Sequence, residues 1–279
     1  MTTLITGATG SVGRRIIPTL IEHGTEVRAL SRNAASAGLP DGVRVVEGAL
    51  DSAPAETFEG VDSIFLFPAS EGVDEFVERA VTAGVSRFVV LSSLAVSGRN
   101  ARDAGSATAI HHRSVEEAVT SRTDDWTILR PGNFANNLLF WAFPIRSGFP
   151  VRIPYPSSSQ VLIHEADVAA AATHALTEAD QAGRIYELTG PASTTKIEQL
   201  AAISAAVGRE LPYVEVTPDE FRSDMAQYMD ASIIDMLLRY WSETVDEPEV
   251  ALPSPFGVPA RPLERLAEDH RSDFTAPVS

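Results

Sequence analysis

Three stretches of the sequence have residue types and spacing suited to chemistry. In Thr6-Gly7-Ala8-Thr9-Gly10-Ser11-Val12-Gly13, glycines recur at every third position. Glycine lets the chain turn tightly and brings backbone N–H groups close to an anion, and a helix starting there adds unpaired donors and a positive dipole. A diphosphate suits such a turn, with Gly7, Thr9, Gly10, Ser11, Val12 and Gly13 as its contacts. About twenty residues on, Leu30-Ser31-Arg32-Asn33 offers a guanidinium and no carboxylate. In dinucleotide-binding units an acid at that place bonds a ribose 2′-hydroxyl, whereas an arginine accommodates a 2′-phosphate. The expected cofactor is therefore NADP(H), with Arg32 at the extra phosphate. Later, Asn133-Phe134-Ala-Asn-Asn137-Leu-Leu-Phe-Trp141 mixes amides with large apolar groups. Such a segment suits a pocket wall: Phe134 and Trp141 to stack on a flat substrate, Asn133 and Asn137 to orient it.

These groups need a frame, and the apolar periodicity predicts one. Leu4-Ile5 is a strand, and Val12, Ile16, Ile17, Leu20 and Ile21 recur at helical spacing, so the glycines join a strand to a helix. Strands follow at 25–32, 43–47, 63–67, 88–91 and 125–130, with helices at about 73–83 and 109–121 between the later ones. The run Ser63-Ile-Phe-Leu-Phe67 is continuously apolar, as a sheet buried on both faces requires. Alternation of this kind implies right-handed crossovers and a parallel sheet with ligands at the strands' carboxyl ends. Leu50, Phe67 and Pro68, which leave the third and fourth strands, are thus expected beside the cofactor. The fold class is α/β: a doubly wound Rossmann sheet with a smaller, mostly helical C-terminal substrate lobe. Residues 1–131 form the first domain and 132–279 the second, with strands and a helix within about 160–190 rejoining the first. Short strands are expected at 161–163 and 186–188, irregular structure over 143–156, capping boxes at Thr195–Glu198 and Thr217–Glu220, and a last helix near 263–270. Arg28 reads as a solvated surface cation.

Composition narrows the function classes. The chain has 279 residues, a net charge of −16 and no cysteine. The negative charge argues against duplex binding and against an anionic membrane surface, since both depend on Lys and Arg. Thiolate catalysis, disulfides and zinc–thiolate sites are excluded. The six histidines are scattered without metal-ligand spacing, so no metal is expected. With Met1 close to a strand and no membrane-length apolar run, the expected location is cytoplasmic.

The marks Thr6–Gly13, Arg32, Val90-Leu-Ser-Ser93, Thr127-Ile-Leu-Arg-Pro-Gly132 with Asn133-Phe134, His164-Glu-Ala-Asp167-Val168, Leu188-Thr-Gly-Pro191, Gly208-Arg209 and Phe256-Gly-Val-Pro-Ala-Arg261 extend over nearly the whole chain. Taken together, they resemble the NmrA-like branch of the atypical short-chain dehydrogenase/reductases. The resemblance implies NADP(H) binding, completed by Ser92 and Pro131, and reduction of a small molecule such as a quinone, an azo compound or a carbonyl. It also includes redox-sensing regulators without turnover, which act through a protein partner; a homodimer is a further expectation.

Short-chain reductases ordinarily use a Tyr-x-x-x-Lys pair and a serine, because a ketone receiving hydride becomes an alkoxide that needs a proton donor. That pair is absent. His112 and Glu116 stand at its spacing on one helical face, and Ser92-Ser93 stands where the serine is sought. Two chemistries stay open. His112, poised by Glu116 and aided by Ser93, donates a proton to a carbonyl; or the acceptor is quinone-like, its reduced oxyanion is a stabilised phenolate, and no strong acid is needed. His112 as a surface histidine, and Ser92 and Ser93 as caps of a strand end, are the alternatives without chemistry.

Overall fold

The computed structural model describes residues 1–256 and 258–276; Gly257, inside the Phe256–Arg261 run, lies outside the described residues. The chain divides into two units, Met1–Gly132 with Glu165–Leu188, and Asn133–His164 with Thr189–Ser279. In chain order the first unit opens with β1 (Thr2–Ile5), α1 (Gly13–Glu22), β2 (Glu26–Ser31), β3 (Arg44–Glu47), β4 (Ser63–Leu66), α2 (Val73–Thr82), β5 (Arg87–Leu91), α3 (Ala107–Thr120) and β6 (Trp126–Pro131). The second unit begins with α4 (Ala142–Ser147), β7 (Val151–Ile153) and β8 (Ser159–Gln160). The first unit is then completed by α5 (Glu165–Thr177) and β9 (Arg184–Leu188). The remainder of the second unit is β10 (Thr194–Thr195), α6 (Lys196–Val207), β11 (Tyr213–Glu215), α7 (Pro218–Met225), α8 (Ala231–Asp246), α9 (Leu263–Asp269) and α10 (Arg271–Thr275).

The first unit is a Rossmann-like α/β fold. Its seven strands are all parallel, in the order β3-β2-β1-β4-β5-β6-β9. The order reverses beside β1, which makes the β1/β4 crevice the topological switch point where such sheets take ligands. Ile64, Phe65 and Leu66 are at most 1 % exposed, as strands covered on both faces must be. Phe76 and Val77 of α2 and Val115 and Val119 of α3 pack with Leu4, Ile64, Leu66 and Val90 into one cluster. Phe58 meets Phe76 edge to face at 5.0 Å. Arg15 and the buried Glu165, 2.8 Å apart, tie α1 to α5. Among the described residues no helix is long and apolar enough to cross a membrane.

In the second unit β8 pairs with β10 antiparallel and β7 with β11 parallel. Both capping boxes form: Thr195 and Thr217 accept from the backbone N–H of Glu198 and Glu220, whose carboxylates accept in return. Leu138, Trp141, Ile145, Leu200, Ile203 and Phe274 share its main core.

Four expectations are corrected. Arg28 is 4 % exposed, and its guanidinium donates to the carbonyls of Glu56, Thr57 and Glu59 at 3.0, 3.1 and 2.8 Å, so it staples the loop before β4 rather than facing solvent. Residues 161–163 make no strand; Ile163 forms only an isolated bridge with Phe134. Residues 143–156 are not wholly irregular, because α4 and β7 lie within them and β7 finds its partner sixty residues later. The last helix is two, broken at His270.

Three elements are joined by one buried ion pair. Arg130 of β6 donates from Nε and a terminal nitrogen to Glu116 of α3 at 2.9 and 2.6 Å, a bidentate arrangement. Ser92, just beyond β5, donates to the same carboxylate at 2.5 Å. The bond to Glu116 outweighs burial and raises the Arg130 pKa above its ordinary value. Removing one partner of a buried pair strands the other's charge at a cost of about 3 kcal/mol. Glu116→Ala should therefore lower stability in urea unfolding by about that much, while the paired change Glu116→Leu/Arg130→Met should restore most of it.

Candidate functional site

A cavity of about 600 Å³ opens in the first unit at the carboxyl ends of β1 to β4. Gly7 and Thr9 line it from the glycine turn, Ser31, Arg32 and Asn33 from the end of β2 onward, Gly48 to Asp51 from beyond β3 and Phe67 to Glu71 from beyond β4. Thr6 aligns two of these ends, since its hydroxyl donates to the Phe65 carbonyl at 3.0 Å and accepts from Phe67 N–H at 2.7 Å. Gly7 has φ +63° and faces Phe67 so closely that a Cβ would stand 2.9 Å from the Phe67 side chain. Arg14 donates to Thr9 O at 2.9 Å, Gly38 O at 2.8 Å and Ala37 O at 2.7 Å, tying the loop after β2 to the glycine turn. Arg14 is thus spent on backbone. Arg32 is exposed on the cavity wall and has no ion pair or hydrogen bond among the described residues.

Of the residues expected at the cofactor, Gly7, Thr9, Arg32, Leu50, Phe67 and Pro68 line this cavity, whereas Gly10, Ser11, Val12, Gly13, Ser92 and Pro131 do not. Gly10 and Ser11 are exposed on the turn, while Val12 is turned inward at 6 % exposure. Gly13 is packed against the turn: a Cβ there would lie 2.5 Å from Gly7 O and 2.9 Å from Ala8 Cα. Ser92 is held by Glu116, and Pro131 sits inside β6, paired with Leu188. Asp51, which was not among the expected contacts, also lines the cavity. Gly72, at φ +76°, packs against it, since a Cβ there would fall 2.5 Å from Asp51 N.

The proton-donor candidates are arranged differently from the expectation. Glu116 does not poise His112, because its carboxylate is occupied by Arg130 and Ser92. His112 Nδ1 is buried without a hydrogen-bond partner. Burial, then the neighbouring His111, lowers the His112 pKa to about 4 against the weaker pull of Glu116. At neutral pH its ring is uncharged. His111 Nε2 stands 3.2 Å from the Pro68 carbonyl. Ser93 accepts from Ala95 N–H at 3.3 Å and caps the single turn Leu94–Ser97.

A separate cavity of about 330 Å³ lies within the second unit. Asn133, Asn137 and Trp141 line it, as expected; Phe134 does not, its backbone instead bridging to Ile163, and Phe140 is on the wall in its place. Trp141, 8 % exposed, belongs to the core and the wall at once. Asn133 donates to the Tyr240 hydroxyl at 2.5 Å. Arg152, Gln160, Lys196, Gln199, Phe221, Tyr240 and Trp241 add polar and aromatic lining from positions distant in sequence.

The family model described as NAD(P)H-binding matches residues 7–179. The chain is 34 % identical to the (4-alkanoyl-5-oxo-2,5-dihydrofuran-3-yl)methyl phosphate reductase of Streptomyces griseus, over 97 % of this chain and 98 % of that one. It is 28 % identical to the NAD(P)H azoreductase of Xenophilus azovorans, over 98 % and 99 %. Among solved structures, the Escherichia coli NADPH-dependent quinone oxidoreductase complexed with NADPH shares the fold with a TM-score of 0.76 at 22 % identity, covering 96 % of this chain and 99 % of that one. The Citrobacter triphenylmethane reductase does so with a TM-score of 0.77 at 18 % identity, covering 98 % and 100 %. A switch-point cavity with a glycine turn at its edge is the dinucleotide site of this architecture, and the chain belongs to the NAD(P)H-binding family.

Proposed function

We propose that the protein is an NADPH-dependent reductase that transfers hydride to a quinone-like, aromatic or conjugated carbonyl small molecule, without the Tyr-x-x-x-Lys pair. One observation carries the choice of acceptor. The groups that stand where a proton donor is sought are neutralised: Ser92 and Arg130 both donate to Glu116, and His112 is held uncharged with a pKa of about 4. An alkoxide leaving such a site lacks an acid, whereas a hydroquinone or enolate oxygen delocalises its charge and collects a proton from water. The name of the Streptomyces griseus relative supports the same class, since a 5-oxo-2,5-dihydrofuran is a conjugated carbonyl.

The residues of the first cavity fit the cofactor. Gly7 and Gly13 leave no room for a Cβ, so the turn brings backbone close to a pyrophosphate, and Arg32 is an unspent cation for a 2′-phosphate. Leu50, Phe67 and Pro68 give the cavity an apolar side. When bound, NADPH supplies the hydride. Asn133, Asn137 and Trp141 orient the acceptor in the second unit's cavity.

Arg32→Glu should raise the dissociation constant for NADPH at least about tenfold while changing NADH little, because only the former loses a phosphate contact and gains a repulsion; fluorescence titration with both dinucleotides measures it, and equal losses would remove the 2′-phosphate assignment. His112→Ala should retain NADPH oxidation with 2-methyl-1,4-naphthoquinone to within about threefold. A drop of a hundredfold or more would restore His112 as proton donor, and no oxidation with any quinone, enone or ketone would leave a cofactor-binding redox sensor acting through a protein partner.

A further inference from the structure

Lys196 is the one lysine of the sequence; the other 21 of its 22 basic residues are arginine. It is the first residue of α6, 3 % exposed, and it lines the second unit's cavity. Its Nζ donates to the Pro154 carbonyl at 2.8 Å and stands 3.3 Å from the centroid of the Trp241 ring. As an ammonium it would have three N–H groups to place, and the protein offers a single oxygen and a ring face. No carboxylate bonds it among the described residues.

Its polar neighbours are committed elsewhere. Gln199 donates to Gln160 Oε1 and to Thr194 O, both at 2.9 Å. Gln160 donates to Ser158, and Ser158 and Thr244 bond each other at 2.8 Å. Arg152, the second cation on the wall, is matched by Asp224 at 2.6 Å. In a chain of net charge −16, no Asp or Glu among the described residues lines this cavity. The rest of the wall is aromatic and aliphatic, with Trp141, Phe221 and Trp241 suited to a flat ring.

We propose that this cavity binds aromatic or conjugated acceptors that carry an anionic group, a carboxylate, sulfonate or phosphate, and that Lys196 is the residue that recognises the charge. The inference deepens the acceptor assignment above and rests on it. The choice of lysine over arginine has a physical reason. A buried guanidinium stays charged with or without a ligand, whereas an amine sheds its proton in an apolar site. Burial pushes Lys196 down to about 6, so the empty cavity is spared a bare charge and an arriving anion draws a proton in with it. The other charged and titratable groups around it include Arg152 with its partner Asp224, Tyr240, whose hydroxyl accepts from Asn133, Tyr155, packed with Trp241 against one cluster, and Glu198, held in the capping box. None of these bonds Lys196.

The test compares 2-naphthoate with 2-naphthamide, one ring system with and without the charge, by titration calorimetry of the full chain at neutral pH in two buffers of different ionisation enthalpy. Naphthoate should bind about tenfold more tightly and take up most of one proton per ligand; naphthamide should take up none. Lys196→Gln should abolish both the preference and the uptake, and Lys196→Arg should keep the preference without the uptake. Equal affinity for the two ligands, binding of neither, or an anion preference without proton uptake that survives Lys196→Gln would overturn the proposal. Reduction of 2-methyl-1,4-naphthoquinone by NADPH, assayed in parallel, separates this from the broader reading. Lys196-dependent naphthoate binding without any reduction sinks the reductase and leaves the anion site, whereas reduction with charge-blind binding does the reverse.

Discussion

Between Gly13 and the carbonyl of Gly7 there is room for a hydrogen atom and nothing larger, since a Cβ would stand 2.5 Å from that oxygen. This contact sets where α1 begins relative to the end of β1. With that start fixed, Ile16, Ile17 and Leu20 fall on the buried side of the helix, each 0 % exposed. Thr6, one residue before the turn, bonds both Phe65 and Phe67 and so brings the end of β4 alongside. Gly7 itself leaves space for Phe67 on the cavity wall. The cavity is therefore a consequence of how closely a helix can approach the strand that precedes it, and glycine is the residue that permits the approach.

The sheet was legible because its central strands are apolar on both faces. β4 and β5 read as unbroken hydrophobic runs, and the glycine turn identified β1 with its helix; the parallel order and the switch point follow from these. The place of Arg32 on the cavity wall was legible too, because it follows from position after β2 and not from a partner. What the sequence concealed was pairing at long range. β7 and β11 are three residues each and sixty residues apart, too short to have a period of their own. Arg28 looked like a surface cation because the three carbonyls that receive it lie in a loop about thirty residues on. Glu116 stands one helical turn from His112, and helical spacing alone made them partners; the strand carrying Arg130 offered a bidentate donor, which a carboxylate prefers to an imidazole. Lys196 sat in plain view inside a capping box, a motif whose second residue is ordinarily exposed.

The protein buries charge in three ways, and the differences are informative. Arg28 is surrounded by backbone carbonyls, and Arg130 by a carboxylate in bidentate contact. In both, the groups that surround the charge are protein and the role is architectural, fully compensated at Arg130, whose bond to Glu116 outweighs burial, and only in part at Arg28, whose Nε has no partner and whose pKa burial lowers. Lys196 receives one carbonyl and a ring face. A buried polar group costs free energy in proportion to the bonds it does not make, and an amine reduces that cost by giving up its proton. A site of this kind is stable when empty and favourable when an anion enters.

Under the proposed function, the same reasoning separates the two ends of a hydride transfer. Charge that must be held throughout the reaction needs a permanent cation, and Arg32 stands in solvent at the cavity's edge, where an unpaired guanidinium costs little. Charge that develops on the acceptor needs either an acid or a ring able to spread it. Ser92, Glu116 and Arg130 are closed on themselves, and His112 is kept neutral by burial. A permanently charged acid close to the reacting atoms would favour a localised alkoxide; a neutral wall favours an acceptor whose conjugation already carries the charge. Under the proposed function, hydride acceptors that stabilise their own oxyanion fit this wall without a tyrosine–lysine pair.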